Sequence, residues 1–459
     1  MIRKIVSSSS RLINSGGVAI QSWVAVYTGS PRIQKYFKNI SWLVSEKVFT
    51  LFTALLVNIY VARYLQPENF GLLNYAISFV GIFTAFTALG LDQILVRELS
   101  QRPEQKNQIL GTGFGLKIGG SFVLCLLMIT IILVMNNGAL LNTMILIIAG
   151  AEIFRAFEVI NSYYQSRIES KYIVQVQMLA TMAGNVIKVG LVLNGAPLVW
   201  FAWVILLNAM FNASGFLFNY RRKDGSPLKW KFNKVLSLKI LRESWPLAIH
   251  GVALLTQARI DQVMLGRLIN NAEVGQYSVA LRFIEIFAFT PIILVNTFMP
   301  ALSKAKTISE ELYHNRLINF YRLMFLMFIV VAVPIFFLAE DTIVFLYGDE
   351  YKPAGVLLSL FSIRLFFTNM GVAKSVYTVN ESLFKYSLLC TILGAITNIG
   401  INLILIPVYG SIGALIATVV SFSLSDFIVD LFYKKTRKNQ YMIFRGICSF
   451  WKLKDAMKT

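Results

Sequence analysis

The sequence predicts an all-α membrane protein of about twelve transmembrane helices in two six-helix bundles. Three observations carry this. Hydrophobic residues are 56% of the chain and charged residues 14%, far more apolar than a soluble domain. Apolar runs of about 20 residues, the length that crosses a bilayer, recur along the chain. One stretch also comes back: Arg63 to Phe86 returns 204 residues later as Arg267 to Thr290. At that offset Arg63 meets Arg267, Gly71 meets Gly275, Ala76 meets Ala280, Phe79 meets Phe283, Ile82 meets Ile286 and Phe83 meets Phe287. Both copies run from the end of an apolar helix through a polar turn into the next helix. Two similar halves place the function between them.

The spans fall near 40–64, 71–92, 110–135, 139–161, 173–195, 197–220, 244–268, 274–300, 319–340, 354–377, 384–406 and 411–433. Residues 1–39 form a Ser-rich basic tail, with no acid before Glu46 and no apolar core long enough for a secretory signal. Residues 40–220 make the first bundle, 221–243 a basic linker, 244–433 the second bundle and 434–459 a basic tail. Six spans on each side of the linker put both halves in one orientation, as parallel repeats do.

The net charge of +20 would suggest nucleic acid in a soluble protein, but here it sits in alternate loops. Arg97, Arg102 and Lys106, then Arg167 and Lys171, then the eight cations from Arg221 to Arg242 share one side with both tails. The opposite loops hold Lys352, with Arg63 and Arg267 at span edges. Positive loops face the cytoplasm, so both termini are expected there and no nucleic acid is implied. Cys125, Cys390 and Cys448 lack metal-site spacing and read as small hydrophobes. No phosphate-binding glycine loop, zinc motif or nucleophile elbow is present, so neither an enzyme nor a cofactor is expected.

Ionisable groups inside spans mark the candidate site, because they are costly in lipid unless they face a cavity or one another. Span 7 carries His250, Leu254, Gln257 and Asp261 on one stripe, with Arg259 pointing away. Span 8 holds Arg282 and Glu285, three residues apart and expected to pair. In span 4, Glu152, Arg155 and Glu158 form a similar ladder. Span 10 lines up Arg364, Thr368, Gly371 and Ser375, and span 11 lines up Thr391, Gly394, Asn398 and Asn402. Such stripes either glue helices together or line a polar path. Lys188, Arg259 and Arg364 have no acid on their own helix face, and Lys47 begins span 1. Lys47, Lys188, Arg259, Arg282 and Arg364 are therefore candidates for an anionic substrate. Asp261, Glu285 and His250 are candidates for ion coupling. For Asp261 the other reading is a permanent ion pair with an arginine such as Arg282.

Four segments carry a family resemblance. Val61-Ala62-Arg63-Tyr64-Leu65 followed by Phe70-Gly71 resembles the first hairpin of the Wzx-type polysaccharide flippases. Gly90-Leu91-Asp92 leading to Arg97-Glu98 is similar to the segment after that hairpin in the same family. Tyr347-Gly348-Asp349-Glu350-Tyr351 resembles their loop before span 10, and Pro407-Val408-Tyr409-Gly410-Ser411-Ile412-Gly413-Ala414 their last turn. The likeness covers roughly residues 35–435. It implies the multidrug/oligosaccharidyl-lipid/polysaccharide exporter fold, two bundles around a central cavity with alternating access. It implies as substrate an oligosaccharide of O-antigen or other surface-polysaccharide type on undecaprenyl diphosphate, moved across a bacterial inner membrane. The polysaccharide polymerase machinery is then a further partner beside the lipid bilayer. Rival readings are a multidrug or lipid II exporter of the same fold, and a membrane polymerase or ligase. The last would need a catalytic outer loop, and the longest, about Glu340 to Pro353, is short.

The charge pattern makes a topological prediction. In a background free of native cysteines, an impermeant maleimide should label Asp349→Cys on intact cells and spare Lys229→Cys. Labelling at position 229 in intact cells would reverse the orientation.

Overall fold

The computed structural model describes residues 31–135 and 138–452, and every element among them is helical. The sequence-defined tail over residues 1–30 lies outside the described residues. The first helix begins at Pro31, within the stretch read as a tail. The helices are α1 (Pro31–Phe83), α2 (Ala85–Ala88), α3 (Leu91–Gln101), α4 (Lys106–Val134), α5 (Ala139–Arg155), α6 (Val159–Ser166), α7 (Lys171–Leu193) and α8 (Val199–Lys223). They continue with α9 (Lys234–Leu268), α10 (Asn271–Phe287), α11 (Phe289–Ile308), α12 (Glu310–Tyr347), α13 (Lys352–Asn380), α14 (Phe384–Ser423), α15 (Val429–Phe432) and α16 (Lys434–Ile447).

Eight helical runs among the described residues are long and apolar enough to cross a bilayer. Two of them, Ser45–Gln101 and Phe384–Phe432, hold two spans each, because the chain breaks at Gln66 (φ 62°) and at Gly410 (φ 55°). The α5 helix, at 17 residues, is too short to be included, and α9 carries a polar stripe. Counting these gives the twelve spans expected. Large apolar side chains stand exposed along the outside, such as Leu133 at 81% and Phe337 at 74%, which is the face a lipid bilayer covers. Helix starts follow ordinary capping chemistry. Asn233, Asn270 and Ser309 each accept a hydrogen bond from the backbone N–H three residues on.

One end of the bundle, here the turn end, holds the breaks at Gln66, Asn270 and Gly410. There the repeat becomes visible in space. A methyl group on Gly71 would lie 1.7 Å from the Asn271 carbonyl oxygen, and one on Gly275 would lie 2.2 Å from the Pro67 oxygen. Residues 67 and 271, like 71 and 275, are equivalent in the 204-residue repeat. The two contacts therefore interchange under a pseudo-two-fold axis between the glycines. Backbone meets backbone there because neither residue has a side chain. The Tyr351 hydroxyl donates to the Ala62 carbonyl at 2.9 Å and Arg63 donates to the Phe345 carbonyl at 2.6 Å, so the turn end is laced across the halves.

The apolar cores follow the same geometry. At the turn end Val61, Phe70, Ala76 and Val80 share one core with Leu265, Tyr277, Ala280, Ile284 and Phe361. At the opposite, basic end the core splits. Leu91, Leu95, Tyr164 and Phe216 form one cluster, and Leu302, Tyr313, Tyr321 and Met370 another. The linker sides with the first half: Leu236 and Ile240 enter its cluster, and Lys239 pairs with the buried Glu98 at 3.3 Å. The apolar core is shared at the turn end and split at the basic end, where Gly90 of the first half still packs against Leu247 and Ala248 of the second.

The glycine contact is testable. Gly71→Ala should cost about 1–3 kcal/mol by overpacking against Asn271, read as a lower melting temperature of purified protein. Gly190→Ala, whose methyl group meets nothing within 4 Å, should melt at or above wild type.

Candidate functional site

The divided end holds a cavity of about 690 Å³. Its walls come from α9 (His250, Leu254, Gln257), α10 (Leu281, Ile284, Glu285), α13 (Arg364, Thr368, Gly371, Ser375) and α14 (Thr391, Phe422), with Gln93 contributed by the first half. The span 10 stripe lines this space throughout, span 7 lines it through His250, Leu254 and Gln257, and span 11 reaches it through Thr391, while Gly394, Asn398 and Asn402 lie outside its lining. The sequence finds them because a helix repeats its face every three or four residues.

Arg364 lines this cavity together with Lys374 and Lys385. Its guanidinium lies 5.8 Å from the ring centre of Phe361 and 5.7 Å from that of Phe422. Two aromatic faces hold it in place and partly compensate its charge. Among the described residues no carboxylate reaches ion-pair distance of it. Glu285 also lines the cavity, but its partner differs from the expected one. It pairs with Arg259 at 3.7 Å, and not with Arg282 on its own helix. Arg259 is therefore not an unpaired cation. It crosses from α9 to α10 and passes Gly81 of the first half, the repeat equivalent of Glu285. The pairing follows from helix packing, which same-helix spacing does not see.

Asp261 lies behind the cavity wall, 3% exposed. Among the described residues no cation reaches it, so the expected alternative of an Arg282 ion pair is not formed. Three neutral donors surround it: the Tyr277 hydroxyl at 2.5 Å, the Thr418 hydroxyl at 2.6 Å and the Asn402 amide at 2.7 Å. They come from α10 and from the two arms of α14, so one carboxylate ties three spans to α9. Asn402 also donates to Asn398 at 3.2 Å, while its own amide oxygen has no partner among the described residues. A buried carboxylate without a cation is costly. Three hydrogen bonds lower the cost.

A second charged cluster lies in the cavity wall and escaped the sequence reading. Lys374 is buried and reaches Asp430 at 2.9 Å and Asp426 at 3.8 Å. It also donates to the carbonyls of Ser425 and Asp426, at 3.3 and 3.2 Å. Those carbonyls belong to a π-helical turn, Leu424–Ile428, and the Asp426 carbonyl also accepts from Gln440 at 3.4 Å. The signal was available, as a lysine in span 10 and two aspartates four apart in span 12.

The remaining candidates lie elsewhere. Lys188 is half-buried and lines a separate cavity of about 280 Å³ in the first half. Arg282 is half-buried near enough to Lys188 for their charges to repel. Lys47 is exposed on α1 and lines neither cavity. In span 4, Arg155 pairs with Glu152 at 2.9 Å, as the ladder suggested. No cluster of three or more His, Cys, Asp or Glu side chains suited to a metal occurs among the described residues.

The comparisons with known proteins bear on this arrangement. Residues 36–306 match the family model described as "Polysaccharide biosynthesis protein". The chain is 20% identical over 420 residues to the capsular polysaccharide biosynthesis protein CapF of Staphylococcus aureus, covering 87% of this chain and 99% of that one. An inward-facing multidrug resistance MATE transporter superposes with a TM-score of 0.60 at 15% identity, over 89% of this chain and 96% of the other. The lipid II flippase MurJ, in an inward closed conformation, superposes with a TM-score of 0.54 at 13% identity, over 92% and 98%. At such identities the two structures share the fold.

The neutral surroundings of Asp261 predict no energetic coupling to Arg282. In a double-mutant cycle of Asp261→Asn and Arg282→Gln, melting free energies should add within about 0.5 kcal/mol. A larger coupling would place the cation on the carboxylate.

Proposed function

Starting from the fact that this chain belongs to the polysaccharide biosynthesis protein family, we propose that it is a flippase for lipid-linked oligosaccharide. Its substrate in this reading is an O-antigen or other surface-polysaccharide repeat unit on undecaprenyl diphosphate. It carries the unit from the inner to the outer leaflet of a bacterial plasma membrane by alternating access, with both termini cytoplasmic. The chain performs no covalent chemistry. A diphosphate and its sugars cannot cross about 30 Å of hydrocarbon unaided, and a polar cavity between two rocking halves removes that barrier.

The observation that carries the reading is Arg364. The acids in the cavity wall are matched, Glu285 by Arg259 and Asp426 by Lys374, and Arg364 is left without one among the described residues. A fixed guanidinium in a space of low dielectric attracts a phosphate group and can donate to it twice. The cavity opens at the basic end, the cytoplasmic side on charge grounds, where such a substrate is presented. The joined turn end blocks the other side, so the conformation is the one that loads substrate.

Transport against a gradient needs energy, and Asp261 is the group we assign to it. A proton or a monovalent cation entering its neutral shell would change the charge that binds α9 to α10 and α14. Its release would reverse the change as the halves rock. His250, on the same stripe at the cavity wall, marks the path from the basic end.

Arg364→Gln should abolish surface glycan while the protein remains in the membrane, and Arg364→Lys should retain part of it. Asp261→Asn should leave substrate binding intact and make transport indifferent to uncouplers. Full surface glycan in the Arg259→Gln, Arg364→Gln double variant would reject a cationic site built on these residues.

A further inference from the structure

The cavity around Lys188 is separate from the one that holds Arg364, and its chemistry differs. It measures about 280 Å³ and lies among spans 4, 5 and 6. That is near the lower end of small-molecule sites, which run from about 300 to 1,000 Å³. It is too small for a whole repeat unit and has room for a sugar ring or two. Its polar wall is made by Arg155, Glu158, Lys188, Asn208 and Asn212, with Phe154 beside them.

Some of these groups are held in place by partners, and others are left unsatisfied. The Asn212 amide nitrogen donates to the Asn208 side chain at 2.8 Å and to the Asn208 carbonyl at 3.0 Å, which fixes its orientation. Its oxygen is buried and has no hydrogen-bond partner among the described residues. Asn208 in turn donates to the Ala180 carbonyl at 3.3 Å. It approaches α7 at Gly184, where a methyl group would come within 2.8 Å of its amide nitrogen. Neither an ion pair nor a side-chain hydrogen bond engages Lys188 or Glu158 among the described residues. The wall thus offers acceptors at Asn212 and Glu158 and donors at Lys188 and Arg155. A ligand must supply both in return, and a hydroxyl group does so with a single atom.

Acids stand among the cations here. Glu158 lines the wall with Lys188, and Arg155 is already paired with Glu152, although Arg282 adds a cation near Lys188. In the other cavity no carboxylate reaches ion-pair distance of Arg364 among the described residues. A diphosphate favours the second and an uncharged, hydroxyl-rich group the first. We propose that the first-half cavity is a saccharide subsite, which reads sugar hydroxyls of the lipid-linked oligosaccharide while its diphosphate lies at Arg364. This rests on the transport reading above and deepens it. It also gives Lys188 a different task from the one its charge alone suggests.

The test compares two ligands on the full chain in nanodiscs: undecaprenyl diphosphate without sugar, and the lipid-linked oligosaccharide pool that accumulates when the gene is deleted. Lys188→Met and Asn212→Ala should each weaken binding of the oligosaccharide pool by about tenfold, the loss of one strong hydrogen bond. Both should bind undecaprenyl diphosphate as wild type does, which also reports an intact fold. Lys188→Arg should recover part of the loss. Equal weakening of both ligands, or of neither, overturns the subsite. If Arg364→Gln leaves diphosphate binding unchanged while the first-half variants keep their selective loss, the anion reading falls and the subsite stands. A wild-type protein that binds neither ligand overturns transport and subsite together.

Discussion

The two halves meet backbone to backbone at Gly71 and Gly275, and the rest of the structure depends on that contact. A side chain on either glycine would push the halves apart at the turn end. With it in place, one apolar core spans both halves there, and the remaining freedom lies at the other end, where the core divides. The cavity is a consequence of that division.

Symmetry in the scaffold is matched by asymmetry in the chemistry. The repeat aligns Asp261 with Val57, Tyr277 with Leu73, Arg282 with Ser78 and Glu285 with Gly81. The second half carries charge inside its spans where the first has apolar or small residues, and of these charges Asp261 is buried. Arg259 shows how the two are used together, since its stem runs past Gly81 and its guanidinium meets Glu285. The first half has polar groups of its own in other spans, around Arg155 and Lys188. On the proposed function, the two halves share a shape and would divide the recognition of an amphipathic substrate between them.

Much of this was legible in the sequence. The spans, the polar turns and the stripes on spans 7, 10 and 11 follow from periodicity and composition, and the stripes on spans 7 and 10 line a common cavity that span 11 reaches through Thr391. What sequence could not supply is the choice among neighbours. Arg282 and Glu285 are adjacent on one helix, yet Glu285 lies nearer to Arg259 on the next. Tyr277 and Thr418 hold Asp261, but a tyrosine or threonine in an apolar span carries no charge to draw notice. Lys374 and Asp430 pair across two spans far apart in the chain, with a π-helical turn that no local pattern announces. Lys47 shows the opposite error, a cation flagged by type that the fold leaves exposed.

The central claim is that a lipid-linked anion crosses the bilayer through the cavity beside Arg364. It is tested most directly by reconstituting purified protein in liposomes that contain lipid-linked oligosaccharide, then measuring how fast the sugar becomes accessible to a glycosidase added outside. The account predicts rapid exposure with wild-type protein, and with Arg364→Gln no more than in protein-free liposomes. Equal rates for wild type, Arg364→Gln and protein-free liposomes would contradict it.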